Sequence, residues 1–154
     1  MKVKQLLTPV FILSIGLNLY SFLQPKEERK IYRLEGDTRT EIYVKPEHKE
    51  FVLNEMREFV EGLHLISQGI ANNEPEKIIE AAKRSGTSVK APKELVQSMP
   101  KSFMQMGQPT HQLFDTMADS ARINFNPETA QKQLVELTNR CVNCHSTYRL
   151  EANF

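Results

Sequence analysis

The sequence lacks any long run of like charge: 20 Lys and Arg are set against 19 Asp and Glu, for a formal net charge of +1. Phosphate backbones are bound by basic stripes, and with none here nucleic acid is excluded as the expected partner. A Gly-rich phosphate-cradling loop, a Gly-x-Ser-x-Gly elbow and a His-Glu-x-x-His pair are also missing, which removes the chemistries those motifs serve. No constellation of acid, base and nucleophile stands out elsewhere, so the chain is not expected to be an enzyme. Internal repeats and low-complexity blocks are absent as well. The 154 residues leave room for one domain of ordinary size plus a leader or tail.

What is present begins with the leader. "MKVK" is basic, and the 19 residues that follow, "QLLTPVFILSIGLNLYSFL", carry no charge. A spanning helix needs roughly 20 apolar residues, whereas a secretory signal has a shorter apolar region and small residues at its cleavage point. Residues 1–23 are therefore read as a membrane anchor, against which Pro9, Gly16 and Asn18 weigh as helix-weakening residues, with a cleaved signal as the other reading. Either way the domain beyond is expected outside the cytoplasm, in the periplasm or anchored on the periplasmic side of a bacterial inner membrane. Residues 24–45 read as a linker, or as a short hairpin in which "IYRL" and "EIYV" flank a Gly-Asp turn.

From Pro46 the pattern is helical. Val52, Met56, Phe59, Val60, Leu63, Ile66, Ser67 and Ile70 recur at three and four residues and predict a long amphipathic helix. "ANNEP" ends it and starts a second, with Asn72 or Asn73 as cap and Pro75 early. That second helix, "PEKIIEAAKRSG", stops at Gly86, with Lys83 and Arg84 in its last turn, where the helix dipole favours cations. After a connector, perceptibly helical only past Pro92, a third helix runs from near Pro100 through Arg122. Its inner set is Phe103, Met106, His111, Phe114, Met117 and Ala118, and Pro109 should kink or split it. The fourth starts with Asn126 as N-cap and Pro127 at the first position, and carries apolar Leu134, Leu137 and Val142. No strand is expected after residue 45. The predicted fold is all-α: an antiparallel up-down-up-down four-helix bundle over residues 46–154, preceded by the hydrophobic helix and linker.

The only two cysteines fall in "CVNCH", late in the fourth helix. Haem attachment of the c type needs two thiols about one helical turn apart, to add across two vinyl groups, and a histidine beside the second to meet the iron. Cys141, Cys144 and His145 supply that set. A closed zinc site wants a second ligand pair, which His48, His64 and His111 do not form. A redox dithiol belongs at the start of a helix after a strand; a disulfide or two unrelated structural cysteines remain the plain alternatives. One motif implies one haem c, bound covalently through Cys141 and Cys144.

On "CVNCHSTYR" near the end of the fourth helix and "NEMREFVEGLHLISQGI" in the first, the chain resembles the class II cytochromes c, the four-helix-bundle group that includes cytochrome c prime. The resemblance covers residues 46–150. It implies that Cys141 and Cys144 hold the haem, that His145 is the proximal iron ligand and that Met56 is the distal one, as in the low-spin members. It implies redox proteins as partners, besides the membrane reached through the N-terminal segment, and it is compatible with a homodimer.

Helix geometry bears on the sixth iron position. At 1.5 Å per residue Met56 lies about 15 Å from the start of the first helix and His145 about 8 Å from the end of the fourth, at one end of an antiparallel bundle. An apolar helical methionine is ordinarily core, so Met56 is weighed as ligand against core residue. His111 is its rival, ranked as core histidine first, propionate or wall contact second, ligand third. His64 and His48 are expected on the solvent side. Arg149, four residues after His145 and so on the same helical face, is read as a propionate partner or as a solvated helix-end cation. Tyr148 is expected to pack against the haem or the bundle end. The expected function is single-electron transfer by a His145/Met56-ligated monohaem cytochrome; the alternative is a five-coordinate haem protein that binds nitric oxide or carbon monoxide.

Overall fold

The computed structural model describes residues 35–153. The anchor reading of 1–23 and the "IYRL" half of the hairpin lie outside them. The chain divides after Asp37, and every element below belongs to the unit Thr38–Phe154. Among the described residues there are five helices, α1 (Pro46–Asn72), α2 (Pro75–Arg84), α3 (Lys93–Ser98), α4 (Lys101–Asn124) and α5 (Pro127–Thr147), and two strands, β1 (Thr40–Val44) and β2 (Tyr148–Ala152). None of these helices is long and apolar enough to cross a membrane.

In α1 the buried residues Val52, Phe59 and Ile66 are seven apart, so they stack on one face two turns at a time. Asn73 adopts the left-handed conformation at its end (φ 55°), and its N–H reaches back to the last carbonyls. Asn73 thus terminates α1, while α2 begins from Glu74 with no side-chain cap. The α1–α2 contact is close because glycines line it. A Cβ on Gly69 would fall 2.6 Å from Cγ1 of Ile78, and one on Gly62 would fall 3.2 Å from Oγ of Ser85. Packing neighbours run α1 to α2, α2 to α4, α4 to α5 and α5 back to α1. Ile66, Ile78, Phe114, Met117 and Leu137 fill the space they share. Helix α4 continues through Pro109 without the split that was one of two expectations, the other being a kink; the proline lacks the N–H that Gln105's carbonyl would have received. Helix α5 opens as expected: Pro127 is in its first turn, and the Asn126 side chain accepts from the N–H of Thr129 at 2.8 Å.

The strands correct the sequence reading. "EIYV" lies in β1, which pairs in parallel with β2, Thr40 opposite Tyr148 and Val44 opposite Ala152. β1 alternates, with Ile42 and Val44 buried and Tyr43 exposed. A two-stranded sheet is marginal alone. Here Ile42 and Val44 are held in a second cluster with Val52, Leu95 and Met99, to which Phe51, Phe103, Tyr148 and Leu150 add partly buried surface. β2 also contradicts the expectation of no strand after residue 45, and it ends α5 at Thr147.

His48 is a further correction. Expected on the solvent side, it is only 8% exposed. It shares the inward stripe of Val52 and Phe59, at spacings of four and seven. The connector beyond Pro92 folds as α3, whose Leu95 packs with Val52 and whose Glu94 accepts a 2.9 Å hydrogen bond from Lys45.

Candidate functional site

Two contacts orient α5. Gln133 donates to Ser120 of α4 at 3.1 Å, which marks the α4 flank of the helix. Ala130 and Leu137 face the core. At 3.6 residues per turn, Leu134, Cys141 and His145 then lie on the opposite flank, the one beside α1. Helix α1 is oriented the same way. Gly62 and Gly69 mark its α2 flank, so Met56, Leu63, Val60 and Leu53 lie on the side toward α5. By helical phase, Cys141 and His145 lie on the flank of α5 that faces α1 and Met56 on the flank of α1 that faces α5, with Cys144 nearest the core-facing stripe.

Both thiols are free and half-buried, and His145 is exposed. Burial pushes the Cys141 thiol up, against a smaller backbone hydrogen-bond effect, and burial together with the charge of Cys141 pushes Cys144 up. Both are neutral thiols at neutral pH. Met56 is half-buried and touches both hydrophobic clusters. It lines an open cleft of about 380 Å³ with Leu53, Arg57 and Val60. The surface around this seam is unusually apolar. Val60 is 68% and Val142 64% exposed, and Leu53 and Val135 are exposed as well. Val60, Ser67 and Val142 had been expected inward or apolar-packed; the inward stripe is narrower than the sequence suggested, and these residues lie beyond its edge.

These residues fit a covalently attached haem. Two thiols three residues apart and an imidazole beside the second share a helix end, a thioether comes from the facing helix, and water-exposed apolar side chains border the seam. Among the described residues no group of three or more His, Cys, Asp or Glu gathers to hold a metal ion by itself. A haem needs no such group, because the porphyrin supplies most of the iron's ligands.

Arg149 is not placed as its helical spacing suggested. Helix α5 ends before it, so it does not share a helical face with His145. It lies in β2 with its side chain 12% exposed, paired with Glu41 and, at 3.0 Å, with Glu151. The signal that ends the helix is not local: β2 forms because β1, about 108 residues earlier, offers it a ladder.

His111 lies on the other side of α1, among α1, α2 and α4. Its Nδ1 is 2.8 Å from the carbonyl oxygen of Ser85, and since that oxygen only accepts, Nδ1 carries the proton. Nε2 is 3.7 Å from Oε1 of Glu55, and the ring meets Phe59 edge-on at 5.3 Å. The ring is partly buried, with Nδ1 hydrogen-bonded and Nε2 turned toward the Glu55 carboxyl. Burial raises the Glu55 carboxyl above its ordinary range, the charge of His111 opposes that, and Glu58 adds to it. His64 is exposed and contacts Gln68 at 3.0 Å. Tyr148 packs edge-on against Phe103 at the sheet end of the helices, with ring centres 5.6 Å apart.

The sequence reading missed Leu53 and Arg57. Leu53, Met56 and Val60 are three and seven apart, a second apolar stripe beside the core stripe, and that spacing was the available signal. No known protein family, no curated protein and no solved structure matches the chain.

Proposed function

We propose that this chain is a monohaem c-type cytochrome that passes single electrons between redox proteins outside the cytoplasmic membrane, with Cys141 and Cys144 holding the haem and His145 and Met56 as its axial ligands. The observation that carries the reading is the seam: the flank of α5 bearing Cys141 and His145 faces the flank of α1 bearing Met56. We read α1, α2, α4 and α5 as an up-down-up-down bundle of the class II type, and residues 1–23 as its membrane attachment.

The chain's own contributions follow from their places. Cys141 and Cys144, as neutral thiols, are the addition partners for two vinyl groups. His145 and Met56, on different helices, would hold the iron from α5 and α1. Leu53, Val60 and Val142 would lose their water-exposed apolar surface to the ring, at roughly 25 cal/mol for each Å² covered. A haem held there supplies a one-electron couple whose potential is raised by the thioether ligand. No proton donor or acceptor is required of the protein.

The test is the absorption spectrum of the purified protein made with a working haem-attachment system, oxidised, reduced, and reduced under carbon monoxide, alongside its intact mass. A covalent haem adduct and a low-spin spectrum with the weak near-infrared methionine-to-iron band, insensitive to the gas and lost in Met56→Ala, are expected. The openness of the cleft beside Met56 favours one second reading, a gas-binding haem protein; it predicts a high-spin spectrum that shifts with carbon monoxide. A colourless protein defeats both.

A further inference from the structure

We infer that Arg57 is the residue that binds the carboxylates of the haem's propionate groups, an assignment that rests on the haem reading above. A haem brings two charged carboxylates to a seam that is otherwise apolar. Ionised carboxylates keep to the wet edge of such a site, because their desolvation is costly unless a cation meets them. Among the described residues the cleft beside Met56 is lined by Leu53, Met56, Val60 and one charged side chain, Arg57. A guanidinium forks onto a carboxylate with two parallel N–H donors, which suits it to this task.

Arg57 is also free to take it. Its contact is one hydrogen bond from Nη1 to Oε1 of Glu50 at 3.1 Å, with both side chains more than half exposed. Pairs of that kind are weak and readily exchanged. The competing cations are committed or misplaced. Arg149 is buried between Glu41 and Glu151, and removing it from a buried pair would strand two carboxylates. Lys49 leans on Glu151 at 3.9 Å. Arg140 directly precedes Cys141, and its Nε is buried without a partner. It lies, however, on the α4 flank of α5, across the helix from His145, and its Nη2 donates to Glu136 at 2.8 Å.

A cation beside the propionates disfavours the oxidised iron, so its removal lowers the reduction potential. The experiment measures that potential, and the propionate bending band by resonance Raman, on the haem-loaded full chain. Arg57→Gln is expected to lower the potential and shift the band, Arg57→Lys to recover most of the potential but not the band, and Glu50→Gln, which releases Arg57 from its present partner, not to lower the potential. Arg57 is exposed, so these variants fold. A potential and band unchanged in Arg57→Gln, or changes that follow Arg140→Gln or Arg149→Gln instead, overturn the assignment while the haem adduct in the mass spectrum keeps the cytochrome reading intact. An unmodified mass in the parent protein overturns both together.

Discussion

The two flanks of α1 are built to different standards. Toward α2 and α4 the packing is closed: Gly62 and Gly69 admit Ser85 and Ile78 at contact distance, Ile66, Ile78, Phe114 and Met117 are fully buried, and His111 Nδ1 donates to the Ser85 carbonyl. Toward α5 the same helix leaves Leu53 and Val60 in water, Met56 half-covered and two thiols half-exposed across the seam. Soluble proteins tolerate single exposed apolar residues, but several bordering one cleft mark a surface meant to be covered. Among the described residues, then, one flank of α1 is closed by polypeptide while the other leaves apolar side chains in water.

That contrast can be broken most severely from the closed side. Phe114→Ala removes a fully buried ring at the centre of the core, and a loss of about 3–5 kcal/mol is expected in urea unfolding monitored by circular dichroism. Gly69→Ala, whose new Cβ would meet Ile78 Cγ1 at 2.6 Å, should cost about 1–3 kcal/mol in the same assay. On the open flank Val60→Thr is expected to change the stability of the haem-free chain by no more than about 0.5 kcal/mol, and to cost more once haem is attached; equal effects in the two forms would erase the distinction between the flanks. The smallest effect belongs to an exposed pair that belongs to neither flank. The hydrogen bond from Lys45, aided by its charge, holds the Glu94 carboxyl below its ordinary range. Its contribution is therefore present above that range and disappears as pH falls through the lowered value. Thermal melts of Glu94→Gln should differ slightly from the parent at neutral pH and low salt, and coincide with it at high salt or strongly acidic pH.

Local chemistry made much of this molecule legible in the sequence. Asn126-Pro127 announces α5 because a cap and a first-turn proline act within four residues. "CVNCH" stands out because its two thiols and a histidine fall within about one helical turn, the spacing that c-type haem attachment would require. The Val52, Phe59, Ile66 stripe follows from helical period alone. The errors fall where distant residues decide. Tyr148–Ala152 has no strong strand pattern and becomes a strand because β1 pairs with it; Arg149 was misplaced for that reason, since its helical face exists only if α5 runs on. His48 was misjudged because a short connector helix, invisible as a packing element in sequence, contributes to the cover over the first turn of α1. Val60 and Val142 read as core because periodicity identifies an apolar side chain but not whether a neighbour reaches it.

The parallel ladder between β1 and β2 also imposes an order in time. A strand at residues 40–44 has no partner until residues 148–152 exist, so the first element of the domain waits for the last. Loop closure over that span is entropically expensive and contacts of such long range form late. "CVNCH" precedes β2 directly, and so it is in place before the second strand of the ladder. If Cys141 and Cys144 take up haem as proposed, they would do so while the ladder is still open, and the ladder would close last. A chain ended after Thr147 would expose this sequence of events: Cys141 and Cys144 should be modified as in the full chain, while the amides of residues 40–44 should lose their protection from hydrogen exchange.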